Sequence, residues 1–169
     1  MALDSGFVAD FVKRLGEAID AHDADAIAAL CSEDVIWLDP ATPQPLHGRA
    51  AVCAFHRDGL FRAIPDVHFE IVDGPYFAQE GQRVAVRTRL GGTMTGPLAP
   101  PGFAPTGRHV EFETAEFWVF DGELLSRNTV VLDMLALARQ IGAVSAPGSF
   151  GERMMVQFQH LMALLGKHR

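Results

Sequence analysis

Apolar residues recur at helical spacing at the start of the chain, at Phe7, Val8, Phe11, Val12, Leu15 and Ile19. That spacing predicts an amphipathic helix, with Asp4 or Ser5 as its cap. His22-Asp23 ends it, and Asp23 caps a short second helix carrying Ile27 and Leu30. Residues 35–38 read as a short strand closed by Asp39-Pro40, and a proline-rich loop runs on to Gly48. A third helix is expected over 50–63, with Val52, Phe55, His56, Gly59, Leu60 and Ala63 on one face. Strand patterns then occupy 67–77, 83–90, 109–120 and 123–132, with hairpin turns at Gln79-Glu80-Gly81-Gln82 and Asp121-Gly122. Between the hairpins lies a Gly- and Pro-rich loop, 91–107. In the third long strand, Val110 and Phe112 share one face while Phe117 and Val119 share the other, which predicts a β-bulge near 114–116. A short helix follows Asp133, and a last helix over 151–165 carries Met154, Phe158, Leu161, Met162 and Leu165 on one stripe.

Helices followed by long strands in hairpins give an α+β class with a mostly antiparallel, strongly bent sheet. The division expected is one domain over 1–143 and a C-terminal helical extension over 144–169, packed on the same domain or on a partner chain. A chain of 169 residues with 49% apolar and 21% charged residues has enough core to fold as one unit. The net charge of −7 argues against nucleic acid and anionic membrane surfaces. No stretch is long and apolar enough to span a bilayer, and the N-terminus lacks a signal-peptide pattern. With two cysteines, Cys31 and Cys53, read as buried small hydrophobes, a cytoplasmic location is expected.

Asp133 is the candidate catalytic group, set where an apolar strand gives way to an apolar helix. A carboxylate against an apolar wall has a raised pKa and suits proton transfer near neutral pH; the same placement also suits a helix N-cap. Asn128 and Arg127 alternate across the last strand, so one of the two faces inward, and an inward Asn128 holds a carbonyl or enolate oxygen. Arg89, if inward, binds an anionic group or sets an aspartate's charge; if outward, it is a solvated cation. Trp37, Phe55, Phe61, Met94 and Phe117 are candidate walls for a small apolar ligand, and His56 is the candidate pocket histidine. Glu116 interrupts an apolar run and reads as outward-facing more often than as a second pocket carboxylate. The histidines show no metal-binding spacing.

The ordered pieces Val35-Ile36-Trp37-Leu38-Asp39-Pro40, Gly48-Arg49-Ala50, Ala63-Ile64-Pro65-Asp66, Pro105-Thr106-Gly107-Arg108, Asp121-Gly122-Glu123-Leu124 and Asp133-Met134-Leu135-Ala136-Leu137 resemble the SnoaL-like polyketide cyclases of the NTF2-like superfamily. The resemblance covers roughly 7–143. It implies a cone-shaped fold enclosing an apolar pocket, a homodimer, no metal or organic cofactor, and intramolecular aldol chemistry with Asp133 moving the proton. Gly92-Thr93-Met94 and Arg127-Asn128-Thr129 stand where the family often has Gly-Thr-His and Glu-His-Trp, so two imidazoles are replaced. A non-catalytic small-molecule-binding protein is the alternative reading. Water addition to an epoxide, as in another branch, needs a carboxylate two residues after an arginine, and Arg89 is followed there by Gly91.

Overall fold

The computed structural model describes residues 3–100 and 102–166. Helix α1 (Ser5–Asp20) begins at Asp4, whose carboxylate accepts from Phe7 N at 2.7 Å, and α2 (Ala24–Ala29) begins at Asp23, which accepts from Ala26 N at 2.9 Å. These caps satisfy N–H groups that the first turn leaves open. Strands β1 (Cys31–Leu38) and β2 (Leu46–His47) follow, then α3 (Arg49–Ala54), which runs into a π-helical turn, Phe55–Phe61. The single helix expected over 50–63 therefore changes winding midway, a local widening often found at functional sites.

Four long strands complete the sheet: β3 (His68–Phe77), β4 (Arg83–Thr93), β5 (His109–Asp121) and β6 (Leu124–Leu132). The order is β2-β1-β6-β5-β4-β3, with β1 and β6 parallel and every other pair antiparallel. The sheet is curved and unclosed, and α1 packs into it: Phe11 meets Trp118 and Phe120 edge-on at 5.2 and 4.9 Å. Val8, Phe11, Leu15 and Ile19 are all buried. Each such side chain contributes about 2 kcal/mol by leaving water, which makes α1 the lid on the concave face.

The expected bulge at 114–116 is absent. β5 keeps unbroken register with β4 from Val119 to His109, and the irregularity lies between Val119 and Phe120 against β6. The inward set is instead Val110, Phe112, Thr114, Glu116, Trp118 and Phe120, alternating without a break. Phe117 accordingly points outward and is 50% exposed.

The long loop after β4 is pinned back over the open end. Thr95 N and Gly96 N both donate to the Ala63 carbonyl, and a Cβ on Gly96 would lie 1.9 Å from the Arg62 carbonyl oxygen. Only glycine allows that approach. Helix α4 (Met134–Gln140) docks beside β5 through Gln140, whose amide pairs with both backbone groups of Glu111 at 2.9 and 2.8 Å. Helix α5 (Phe150–Gly166) has no buried residue. No helix among the described residues is long and apolar enough to cross a membrane.

Candidate active site

A cavity of about 90 Å³ lies between the concave face of the sheet, α1, the π-helical turn, the pinned loop and α4. Its wall is almost wholly apolar. Leu15 and Ile19 come from α1, Phe55 and Leu60 from the π-helical turn, Leu98 and Pro100 from the loop, and Leu137 and Ile141 from the α4 end. Set into that wall are four polar side chains, Asp39, His56, Thr114 and Glu116; no lysine or arginine lines it among the described residues.

Asp39 sits two residues beyond Trp37, just past the end of β1, so strand alternation delivers both to the cavity side. Its Oδ1 accepts from Ala41 N at 2.8 Å. Burial pushes its pKa above the ordinary carboxylate value; the Ala41 hydrogen bond opposes the shift, and the neighbouring Glu116 charge adds to it. The Trp37 indole N–H is buried without a hydrogen bond of normal length, yet lies close enough to Asp39 to favour its ionised form.

Glu116 is held differently. Trp118 Nε1 and Asn128 Nδ2 donate to its Oε2 at 3.0 and 2.8 Å, and the hydroxyls of Thr114 and Thr88 approach Oε1 at 3.2 and 3.4 Å. Thr88 and Thr114 are themselves 2.6 Å apart. Thr88 and Thr114 spend one hydroxyl proton on each other, so three donors at a time hold the buried carboxyl and fix its orientation. His56, on the π-helical turn, donates from Nδ1 to the Val52 carbonyl at 2.8 Å, which leaves Nε2 as an acceptor in the neutral ring. Burial lowers its pKa to about 4, so the ring is neutral at physiological pH.

The residues singled out in the sequence divide in four ways. Trp37, Phe55, His56 and Met94 line the cavity. Asn128 is fully buried one layer behind the wall, where it orients Glu116 rather than contacting the cavity space. Phe61 is core, packed near His22 and His56. The others lie elsewhere. Asp133 is an exposed N-cap of α4, accepting from Ala136 N at 2.8 Å, and does not line the cavity. The helix-start position claims its carboxylate for capping. Arg89 lies on the outer face of the sheet in an ion-pair cluster with Glu70, Glu111 and Glu113. Phe117 shares that outer face, because the strand has no bulge to turn it inward.

Asp39 is a cavity carboxylate that the sequence pattern does not single out, and Glu116 faces inward where the pattern favours outward. Asp39 ends the β1 pattern, and its even spacing from Trp37 carries the signal. Glu116 is in phase with Val110, Phe112 and Trp118, and the expected bulge hid that phase. Cys31 and Cys53 are unpaired; burial raises the Cys31 thiol to about 12, leaving it unreactive. Among the described residues no cluster of side chains could hold a metal ion.

Comparison with known proteins agrees with this architecture. A family model described as a SnoaL-like domain matches residues 12–128. TsrD from Streptomyces laurentii superposes with a TM-score of 0.70 at 20% identity, over 83% of this chain and 98% of that one. A protein from Jannaschia sp. CCS1, proposed to be a SnoaL-like polyketide cyclase, gives 0.67 at 20% identity over 82% and 93%. A protein with a ketosteroid isomerase-like fold from Catenulispora acidiphila, in complex with trimethylamine, gives 0.65 at 20% identity over 79% and 92%. At this identity the structural likenesses establish the fold.

Proposed function

The chain belongs to the SnoaL-like family and has its ketosteroid isomerase-like, NTF2-like fold, and from that premise we propose that it is a cofactor-independent acid/base enzyme in which Asp39 moves a proton on a small apolar carbonyl or polyketide-like compound. Family membership supports a cyclase- or isomerase-type role in general. The observation that carries the finer reading is Asp39 itself, a carboxylate with a raised pKa on the wall of an otherwise apolar cavity.

The chemistry follows from that environment. The Asp39 carboxylate takes a proton from the carbon next to a carbonyl; the C–H bond breaks, an O–H bond forms, and the electron pair moves onto the carbonyl oxygen as an enolate. Returning the proton to another carbon completes an isomerisation. Attack of the enolate carbon on a second carbonyl of the same molecule forms a C–C bond, and the new oxyanion takes the proton back from Asp39 in an aldol-type cyclisation. A desolvated carboxylate is a stronger base than one in water, which brings its pKa closer to that needed near neutral pH. Glu116, fixed by Trp118, Asn128 and a threonine hydroxyl, stands beside Asp39, and the neutral His56 presents Nε2 to accept from a substrate hydroxyl. With two carboxylates and, among the described residues, no lysine or arginine on the wall, the site suits neutral or cationic ligands over anions; the trimethylamine bound by the Catenulispora protein fits the same preference.

The test is Asp39→Asn assayed against a panel of activated carbonyl substrates. Loss of the general base lowers turnover by about 10²–10⁴; activity retained within about tenfold overturns the role. The replacement of two family imidazoles by Met94 and Asn128 favours a second reading, a small-molecule-binding protein without turnover. Ligand-induced thermal stabilisation with no product formed would select it. We also propose that the protein acts as a homodimer in the cytoplasm, in keeping with its large exposed apolar faces and its unpaired cysteines.

A further inference from the structure

Helix α5 presents a long run of exposed apolar side chains. Nine large apolar side chains between Phe150 and Leu165 are exposed, and from Met154 to Gly166 the helix carries no aspartate, glutamate, lysine or arginine. Among the described residues, the polar side-chain ties of α5 to the rest of the chain lie in its first turn, where Glu152 meets Arg139 at 3.8 Å and accepts from Gly148 N at 2.6 Å. A helix of this length is marginal in water without a packed face.

A second, smaller apolar patch lies on the outer face of the sheet, beside the ion pairs of Arg87 and Arg89. Register pairs Tyr76 with Ala85 and Ala85 with Phe117, and pairs Ala115 with Val131 on the neighbouring row, so all face outward from the sheet. Tyr76, Phe117 and Val131 are each half exposed or more.

We propose that these two faces cover each other between copies: the α5 stripe of one copy lies across the outer sheet face of a second, and the exchange is reciprocal about a two-fold axis. The inference rests on the homodimer reading above and specifies its interface. Four strands span about 14 Å across the sheet, and the stripe from Met154 to Leu165 extends about 17 Å along the helix. Exposed apolar side chains of this kind offer roughly 100 Å² apiece, so the five-residue stripe with the three sheet residues removes about 800 Å² per copy, the size of a stable interface. An isologous pairing buries both faces at once and leaves no open end for further growth. An anionic lipid surface is a poorer occupant, because α5 carries one arginine and the chain a net charge of −7.

The experiment compares the full-length wild type with Leu161→Asp and Phe117→Asp by light scattering and sedimentation over a concentration series. Both substitutions fall on exposed side chains, so circular dichroism and thermal melting report an intact domain. The wild type is expected at twice the chain mass, and each variant is expected to raise the dimer dissociation constant by at least about 30-fold. Dimerisation lost only in Leu161→Asp means that α5 pairs with α5, and dimerisation lost only in Phe117→Asp means that sheet packs on sheet; either result overturns the exchange. Dimerisation kept in both overturns it while leaving the homodimer reading intact. A monomeric wild type overturns both.

Discussion

At the scale of single residues, the account depends on which carboxylate does what. Asp133 caps α4 in solvent, so Asp133→Ala is expected to cost about 1 kcal/mol, or roughly 2–4 °C in a thermal melt, and to leave turnover unchanged. Asp39 has the opposite signature. Its pKa is higher in the folded state than in the unfolded chain, so its contribution to stability is full at low pH and is lost as pH rises through the folded value. Asp39→Asn is therefore expected to melt above the wild type at neutral pH, even as it loses activity; a lower melting temperature there would contradict the burial argument. His56 works in the other direction. Its folded value of about 4 lies below the ordinary 6.5, so stability present above pH 6.5 falls as pH drops from 6.5 through 4, by roughly 3 kcal/mol at most. In urea melts across that range, His56→Phe is expected to flatten the loss relative to wild type. An unchanged slope would mean that the imidazole is not sealed in the wall.

At the scale of elements, the loop that closes the cavity depends on one close approach. Gly96→Ala places a methyl 1.9 Å from the Arg62 carbonyl oxygen, so the loop must lift. Limited proteolysis is expected to cut the variant within 97–105 faster than the wild type, and equal rates would show that the loop is not held there. Much of this element plan was legible beforehand. The helical stripe of α1, the two hairpin turns and the capping aspartates are local signals, and the structure follows them. The winding change at Phe55–Phe61 was not legible, because helical and π-helical turns share an apolar pattern over one or two turns. The phase of β5 was misread for a related reason. Phe117 and Val119 are as apolar as Val110 and Phe112, so hydrophobicity alone does not say which set faces inward. The buried polar groups Thr88, Thr114 and Asn128, which pack around Glu116, decide it, and their partners lie on three different strands.

At the scale of the whole molecule, the fold was readable from ordered motifs spread along the chain, and the family model agrees with them. The candidate site was readable only in part. Trp37, Phe55, His56 and Met94 line the cavity, whereas the carboxylates that share it emerge from sheet geometry that joins β1, β5 and β6. The uncovered α5 adds a claim about assembly, separate from the claim about chemistry. The central claim is that the carboxylate that moves the proton is the one on the cavity wall and not the one on the helix cap. It is tested by kcat/KM for wild type, Asp39→Asn and Asp133→Asn, measured side by side on a substrate with an activated C–H next to a carbonyl. The account predicts a loss of about 10²–10⁴ for Asp39→Asn and less than about tenfold for Asp133→Asn; the reverse order would contradict it.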